Sequence, residues 1–330
     1  MKDNVLFKIN LQLFAELNTN TTLDSGLSVE NKKFYDMTLI DEATPNLIHD
    51  QFGQKRPIPK NGGKKIEFRK FASLPKALTA ITEGVTPDGK KLSVTAIEAE
   101  VAQYGDYIVQ SDVLELTTID NTIVEATKIL GNQAGLTLDT ITRNVLQGGT
   151  NVMYCPKADG TAVTSRATLD GTCKLTVDVI KRAVAFMKKN NAPKINGDYV
   201  AIIHPFVAYD LMSDEAWIDA HKYATPENIY EGEIGKIAGV RFVESSEAKI
   251  YEGGVFGTLL IANGAYGITE ITGGGLQTII KQLGSAGTAD PLNQRSSIGW
   301  KAIKTAEILV EPYLMRIESK SALSSEAEAN

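Results

Sequence analysis

Residues 64–104 constrain this chain more than any other stretch, because they read as one long two-stranded excursion with no third strand or helix to shelter it. In the first arm Ile66 and Phe68 fall on one face and Lys65, Glu67 and Arg69 on the other, the period-2 pattern of a strand. The tip, Glu83-Gly-Val-Thr-Pro-Asp-Gly89, is turn chemistry: proline presets one dihedral, and glycine accepts positive φ at no steric cost. The return arm carries Val94, Ile97, Ala99 and Val101. An isolated hairpin is marginal in water. One this long, with Leu74, Leu78 and Ile81 near its far end, needs a surface supplied from elsewhere, and a second copy of the chain is one source.

A second projection precedes it. Phe7, Ile9, Leu11 and Leu13 alternate, Phe14 follows, and the polar run 18–25 reads as linker, so this segment is a docking arm rather than a core strand. Lys8, Asn10 and Gln12 interrupt the apolar positions, which excludes the continuous block of a signal peptide. No other stretch approaches the roughly 18 apolar residues of a membrane span. Residues 29–52 are weakly helical in pattern, and the basic loop 55–65 leads into the hairpin.

The body begins with a long helix. With Asp120 as its N-cap, Ile123, Ala126, Leu130, Ala134, Leu138, Ile141 and Val145 recur at spacings of three and four, and Gly148-Gly149 ends the run. Gly131 and Gly135 within it point to close packing or a bend. A second helix over 176–190 places Ile180, Ala183, Val184 and Met187 on one face and lysines and arginines on the other. A buried strand over 198–203 follows, and His204-Pro205 opens a further helix, with proline where its missing N–H costs nothing. Strands are expected at 240–243, 256–262, 266–271, 278–283, 298–304 and 307–317, with Asn263-Gly264 as a hairpin turn between the second and third of these. The small, polar tail 319–330 is expected to fray. The fold class is α+β.

Several kinds of chemistry are excluded by what is missing. A formal net charge of -6 is wrong for a dedicated nucleic-acid binder, whose affinity rests on Lys and Arg neutralising phosphates. Cys155 and Cys173 match no zinc spacing and are too few for a disulfide scaffold, so reduced thiols are expected. His49, His204 and His221 form no two-histidine metal motif, and His204 reads as a capping residue. The glycine pairs lack the Lys-Ser/Thr of a phosphate loop, and Ser73-Leu-Pro-Lys76 lacks the motifs that accompany a serine-lysine dyad. Hence no catalytic residue, metal or cofactor is expected, and the hairpin lysines, Lys90 among them, read as a solvated or rim-paired set complementary to Glu98 and Glu100.

The order of features resembles the major capsid protein of tailed bacteriophages, with the Hong Kong 97-like fold. The start Ile9-Asn-Leu-Gln-Leu-Phe-Ala15 is similar to the N-terminal signature of capsid proteins from phages of Gram-positive bacteria. Tyr104-Gly-Asp-Tyr-Ile-Val-Gln-Ser-Asp112, Ile203-His-Pro-Phe206 through Trp217, and Gly235-Lys-Ile-Ala-Gly-Val-Arg-Phe-Val-Glu-Ser245 are similar to the coliphage N-four-type capsid family. The resemblance implies an N-terminal arm (1–55), an extended β-hairpin loop (56–105), a peripheral domain with a long spine helix (106–175), an axial domain (176–275), and a return to the peripheral domain with a C-terminal tail (276–330). It implies no enzyme and no membrane partner, but a subunit that assembles with itself into pentamers and hexamers of an icosahedral virion shell in the bacterial host cytoplasm. The further partners implied are a separate scaffolding protein, since no long scaffolding segment precedes the arm, then a portal protein, an optional decoration protein, and packaged double-stranded DNA held non-specifically. Relatives that weld subunits by an isopeptide bond use an asparagine and a glutamate that find no match here, so no weld is expected. The inter-subunit contacts expected are Phe7, Ile9, Leu11, Leu13, Phe14, Ile66, Phe68, Leu74, Leu78, Ile81, Lys90 and Glu98. Two rival readings are an encapsulin, a cellular shell of the same fold holding cargo enzyme, and a small-molecule enzyme with a pocket around His204 and Tyr209.

Overall fold

In a computed structural model, residues 47–330 are described apart from 72–73, 82, 85, 87, 118–121, 223–234 and 286–289. Strand β1 (Gln54–Lys55) leads to the hairpin of β2 (Lys65–Phe71) and β3 (Val94–Glu100), and β4 (Ala102–Ser111) carries the chain into the body. Helices α1 (Asp112–Thr117) and α2 (Thr122–Gln147) follow, then β5 (Val152–Tyr154), α3 (Val177–Lys189), β6 (Tyr199–Ile203), α4 (Pro205–Met212) and α5 (Glu215–Lys222). The rest is mainly strand: β7 (Lys236–Ile237), β8 (Val240–Glu244), β9 (Ile250–Tyr251), β10 (Val255–Ile261), β11 (Tyr266–Glu270), β12 (Gln277–Lys281), β13 (Arg295–Ile308) and β14 (Leu314–Ser319).

Two sheets organise these elements. In the five-stranded sheet, β13 is central, with β4 along one edge and β12 and β11 along the other, and β1 lies parallel to β11. Helix α2 crosses one face, and its stripe Ala126, Leu130, Ala134 and Leu138 packs on Ile298, Trp300 and Ala302. At 1.5 Å per residue its 26 residues span roughly 39 Å. Gly131 and Gly135 are buried within it. The N-cap expected from sequence, Asp120, lies outside the described residues. Gly148 and Gly149 end the helix without the positive φ typical of a terminal glycine.

The seven-stranded sheet runs β5-β14-β10-β6-β8-β7, with β9 on β10. Its large core takes α3 through Ile180, Ala183, Val184 and Met187, together with Val207 and Leu211 of α4. His204 caps α4 as expected: its Nδ1 accepts the Phe206 N–H at 3.1 Å. That acceptor role requires a neutral ring, and burial holds the imidazole below its ordinary pKa. The unfolded chain therefore takes up a proton that the folded chain resists. Stability is full above the unfolded value of about 6.5 and falls as pH drops below it toward the folded pKa. Thermal unfolding at about pH 7.5 and pH 5.5 checks this: His204→Asn, which keeps a capping acceptor, should flatten the dependence. His204→Ala should cost about 0.5–2 kcal/mol at the higher pH.

Four sequence expectations change. Asn263-Gly264 does not close a hairpin, because β10 belongs to the seven-stranded sheet and β11 to the five-stranded one. The turn is a crossing between layers, buttressed by a second crossing from β13 to β14: Ala265 O accepts Leu309 N at 2.8 Å, and Ala262 N donates to Tyr313 O at 2.9 Å. The strands expected at 298–304 and 307–317 are really β13, unbroken to Ile308, and β14, separated by a turn of 3-10 helix that contains Pro312. Consequently the strands of the expected return, 276–330, are divided between the two sheets, since β14 pairs with β10 and β5. The tail does not fray either. Ser321 donates to Phe206 O at 3.0 Å, Ala322 N to Asp210 Oδ2 at 2.9 Å, and Asn330 Oδ1 accepts Ile250 N at 2.9 Å.

A buried polar network fixes the chain just before the hairpin. Asp139 of α2 accepts the His49 backbone N–H at 2.7 Å and meets its Nδ1 at 2.6 Å. Three residues on, Thr142 donates to Asp50 Oδ1 at 2.6 Å. Lys304 of β13 contacts Asp50 Oδ2 and donates to Leu138 O at 2.9 Å. Burial holds this lysine below its usual pKa against the pull of Asp50.

Candidate assembly surface

The hairpin is a two-stranded sheet of its own, in register from Lys65↔Glu100 to Phe71↔Val94. Directly opposed residues share a face. Ile66 and Phe68 therefore stand with Ala99 and Ile97, and Glu67, Arg69 and Phe71 with Glu98, Ala96 and Val94. Phe68 is buried in its own chain. Its ring lies so close to Gly267 of β11 that a Cβ there would approach it to 2.9 Å, and the Arg56 guanidinium stands 5.8 Å from its centroid. The base of the hairpin is thus docked on the body, with Ile58 N bonded to Glu270 O at 2.8 Å, while Val101 N to Lys64 O at 3.0 Å closes the two arms on each other.

Beyond the base the environment reverses. Leu74 is 54% exposed, Leu78 86%, Ile81 74% and Leu92 70%. Phe71 and Val94, which alternation places on the outward face, are exposed as well. Phe71 and Leu92 were not singled out from sequence, although the register of Phe71 against Ile66 and Phe68 separates the two faces. Lys90 is exposed, and Glu98 meets Lys65 at 3.6 Å in a pair open to solvent. Such exposed pairs contribute about 0–1 kcal/mol and serve mainly to keep the hairpin soluble. The arm residues Phe7, Ile9, Leu11, Leu13 and Phe14 lie outside the described residues.

A second apolar area went unnoticed in the sequence. The face of β4 turned away from α2 exposes Tyr107 and Val109, and α1 adds Val113, Leu114 and Leu116. The signal was present as alternation along β4, since Tyr104 and Ile108 turn inward onto the α2 core. His204 and Tyr209 do not form a pocket: His204 is spent on its cap and packs against Phe206 and Phe256 at 4.9 Å, while Tyr209 is exposed. Among the described residues no group of three or more His, Cys, Asp or Glu could hold a metal ion, and no helix is long and apolar enough to cross a membrane.

The model of a family described as phage capsid protein matches residues 94–312. The chain belongs to the phage capsid protein family. No curated protein matches it. Among solved structures, the capsid of cyanophage P-SCSP1u is similar with a TM-score of 0.66 at 16% identity, over 84% of this chain and 89% of that one. The capsid of cyanophage Pam1 follows at 0.63 and 14%, over 85% and 92%. That of Ralstonia phage GP4 stands at 0.61 and 16%, over 82% and 87%. At such identities the likeness establishes the fold, which is the Hong Kong 97-like capsid fold. This capsid protein is a structural shell subunit of a virion, not an enzyme, and it assembles with copies of itself. The encapsulin and small-molecule-enzyme readings are not favoured.

Proposed function

We propose that this capsid protein builds the head of a tailed phage around double-stranded DNA, by reaching over neighbouring subunits with its hairpin and N-terminal arm. The carrying observation is the hairpin tip, where Leu74, Leu78 and Ile81 project into solvent beyond a base already docked on its own body. The inter-subunit set is then Leu74, Leu78 and Ile81, with Ile66, Lys90 and Glu98 along the flanks and Phe7, Ile9, Leu11, Leu13 and Phe14 on the arm. Phe68 supports the loop from beneath.

On this reading 1–55 is the arm and 56–105 the extended loop. Segments 106–175 and 276–330 form the peripheral domain around α2, and 176–275 the axial domain, with β5 and β14 of the former lent to the seven-stranded sheet and β11 of the latter to the five-stranded one. Subunits gather as pentamers and hexamers in the host cytoplasm, guided by a separate scaffolding protein and a portal protein, with room for a decoration protein outside. The net charge of -6 suits a wall that holds packaged DNA without gripping it.

Negative-stain microscopy of the chain, expressed with its scaffolding partner, should give closed shells. The double substitution Leu78→Asp with Ile81→Asp touches exposed positions only, so it should change unfolding stability by no more than about 0.5 kcal/mol. Shell yield should fall at least roughly tenfold, since a charge buried in a contact costs more than 1.4 kcal/mol. Normal shells from this variant would remove the tip from the mechanism. A wild-type chain that stays monomeric by light scattering at high concentration with its scaffolding partner present would sink the reading as a whole.

A further inference from the structure

The two cysteines are brought to one place by an interruption in a β ladder. Strand β5 runs parallel to β14 up to Tyr154↔Glu318, and Cys155 N then donates to Glu318 O at 3.0 Å. In an uninterrupted parallel ladder the next bond would run from Lys320 N to Cys155 O. Instead the chain leaves the sheet after Cys155, and Lys320 N donates to Cys173 O at 2.9 Å, with Lys174 bridging Lys320 in parallel. Cys173 thus takes up the ladder position that Cys155 vacates, and both stand beside Ser319. Side chains alternate along a strand, so both thiols turn to the face opposite Glu318 and Lys320. Both are fully buried in the same core cluster, and both are free.

We propose that Cys155 and Cys173 are a latent disulfide that closes in the finished particle, tying off the loop 156–172. Two cysteines contributed to one edge position of β14 have the side-by-side approach that a disulfide bond needs. The oxidant is a small disulfide of the glutathione class. The Cys173 thiolate attacks one of its sulfurs and expels a first small thiol, and the Cys155 thiolate then attacks the Cys173 sulfur and expels the second. The protein gives up two electrons and two protons, and the small disulfide becomes two thiols.

Access comes from opening of the loop, which is largely exposed between Lys157 and Arg166. Burial raises the pKa of both thiols, and the Cys173 thiol is further occupied in donating to Asp170 Oδ1 at 3.4 Å. The thiolate fraction is therefore small and closure is slow. In a reducing cell the pair stays open while subunits still rearrange, and it closes once the particle has left. That timing rests on the proposed assembly in the host cytoplasm. The bond itself does not.

The test uses the purified full-length chain, held native with excess glutathione disulfide for about a day, then alkylated in denaturant and mapped by peptide mass. The expected product is a 155–173 disulfide, about 2 Da lighter than the dithiol, with no dimer on a non-reducing gel. Cys155→Ser should instead trap a glutathione adduct on Cys173. If both thiols remain alkylatable, if wild-type chains keep a glutathione adduct, or if the bond forms between chains, the proposal is overturned. None of these outcomes depends on whether shells form.

Discussion

Replacing residues 72–93 by an Asn-Gly turn should give a folded, soluble chain that forms no shell. The cut is dictated by the register. Phe71 and Val94 are directly opposed, so two turn residues close the pair in the type I′ geometry that suits a twisted hairpin. The contacts that tie the hairpin to its own body, Phe68 against Gly267 and Ile58 on β11, are kept, as is the Val101 bond to Lys64 that closes its base. A wider deletion of 64–104 would take β3 and the start of β4, which pairs with β13 from Ala102↔Lys304 onward, and would damage the core for an unrelated reason. What the narrow cut removes is Leu74, Leu78, Ile81 and Leu92, side chains worth about 1.5–3 kcal/mol each once fully covered, before the costs of ordering them. Their loss costs the monomer almost nothing. Sedimentation and thermal unfolding should report a monomer with an unfolding midpoint within a few degrees of the uncut chain at low concentration. Shells of normal diameter from the trimmed chain would refute the role given to the tip.

The sequence was legible wherever one element carries its own periodicity. Helix α2 announces itself through Ala126, Leu130, Ala134 and Leu138, and the His204-Pro205 pair marks the start of α4 through local capping chemistry. The hairpin arms could be read because alternation and turn residues are both local. Partner choice between strands is not local. Asn263-Gly264 has the composition of a hairpin turn, yet β10 and β11 go to different sheets because each finds a longer partner, β14 and β13 respectively. The tail looked free because its anchors, the backbone of 206 and 250 and the carboxylate of Asp210, are distant in sequence. At the surface, alternation told outward from inward on β4 and on the hairpin, but which outward face meets a neighbour depends on a subunit that one sequence does not contain.

The buried pair of Asp50 and Lys304 is the extreme case, since the partners stand 254 positions apart and neither has any local signature. Lys304→Met should destabilise the chain by about 3–5 kcal/mol, the range for removing one partner of a buried ion pair. Asp50 would keep its Thr142 hydrogen bond but lose the cation paired with it, in a site closed by α2, β13 and the segment 49–52. The reverse change, Asp50→Leu, leaves the lysine charge facing Leu138 O alone and should cost a similar amount. Combining the two removes both charges and returns apolar volume, so the double variant should recover most of the loss, because a buried pair replaced as a unit is often neutral. Denaturant unfolding is best measured on the trimmed chain, where assembly adds nothing to apparent stability. If each single variant loses less than about 1 kcal/mol, the pair is not the clamp described here. A large loss bears on assembly as well as on folding. Residues 49–58 are the root from which the hairpin springs, and His49, Asp50 and the β1 ladder are what hold that root to α2 and β11. A loosened root leaves the tip apolar but no longer aimed, so Lys304→Met should lower shell yield under conditions where most of the chain is still folded.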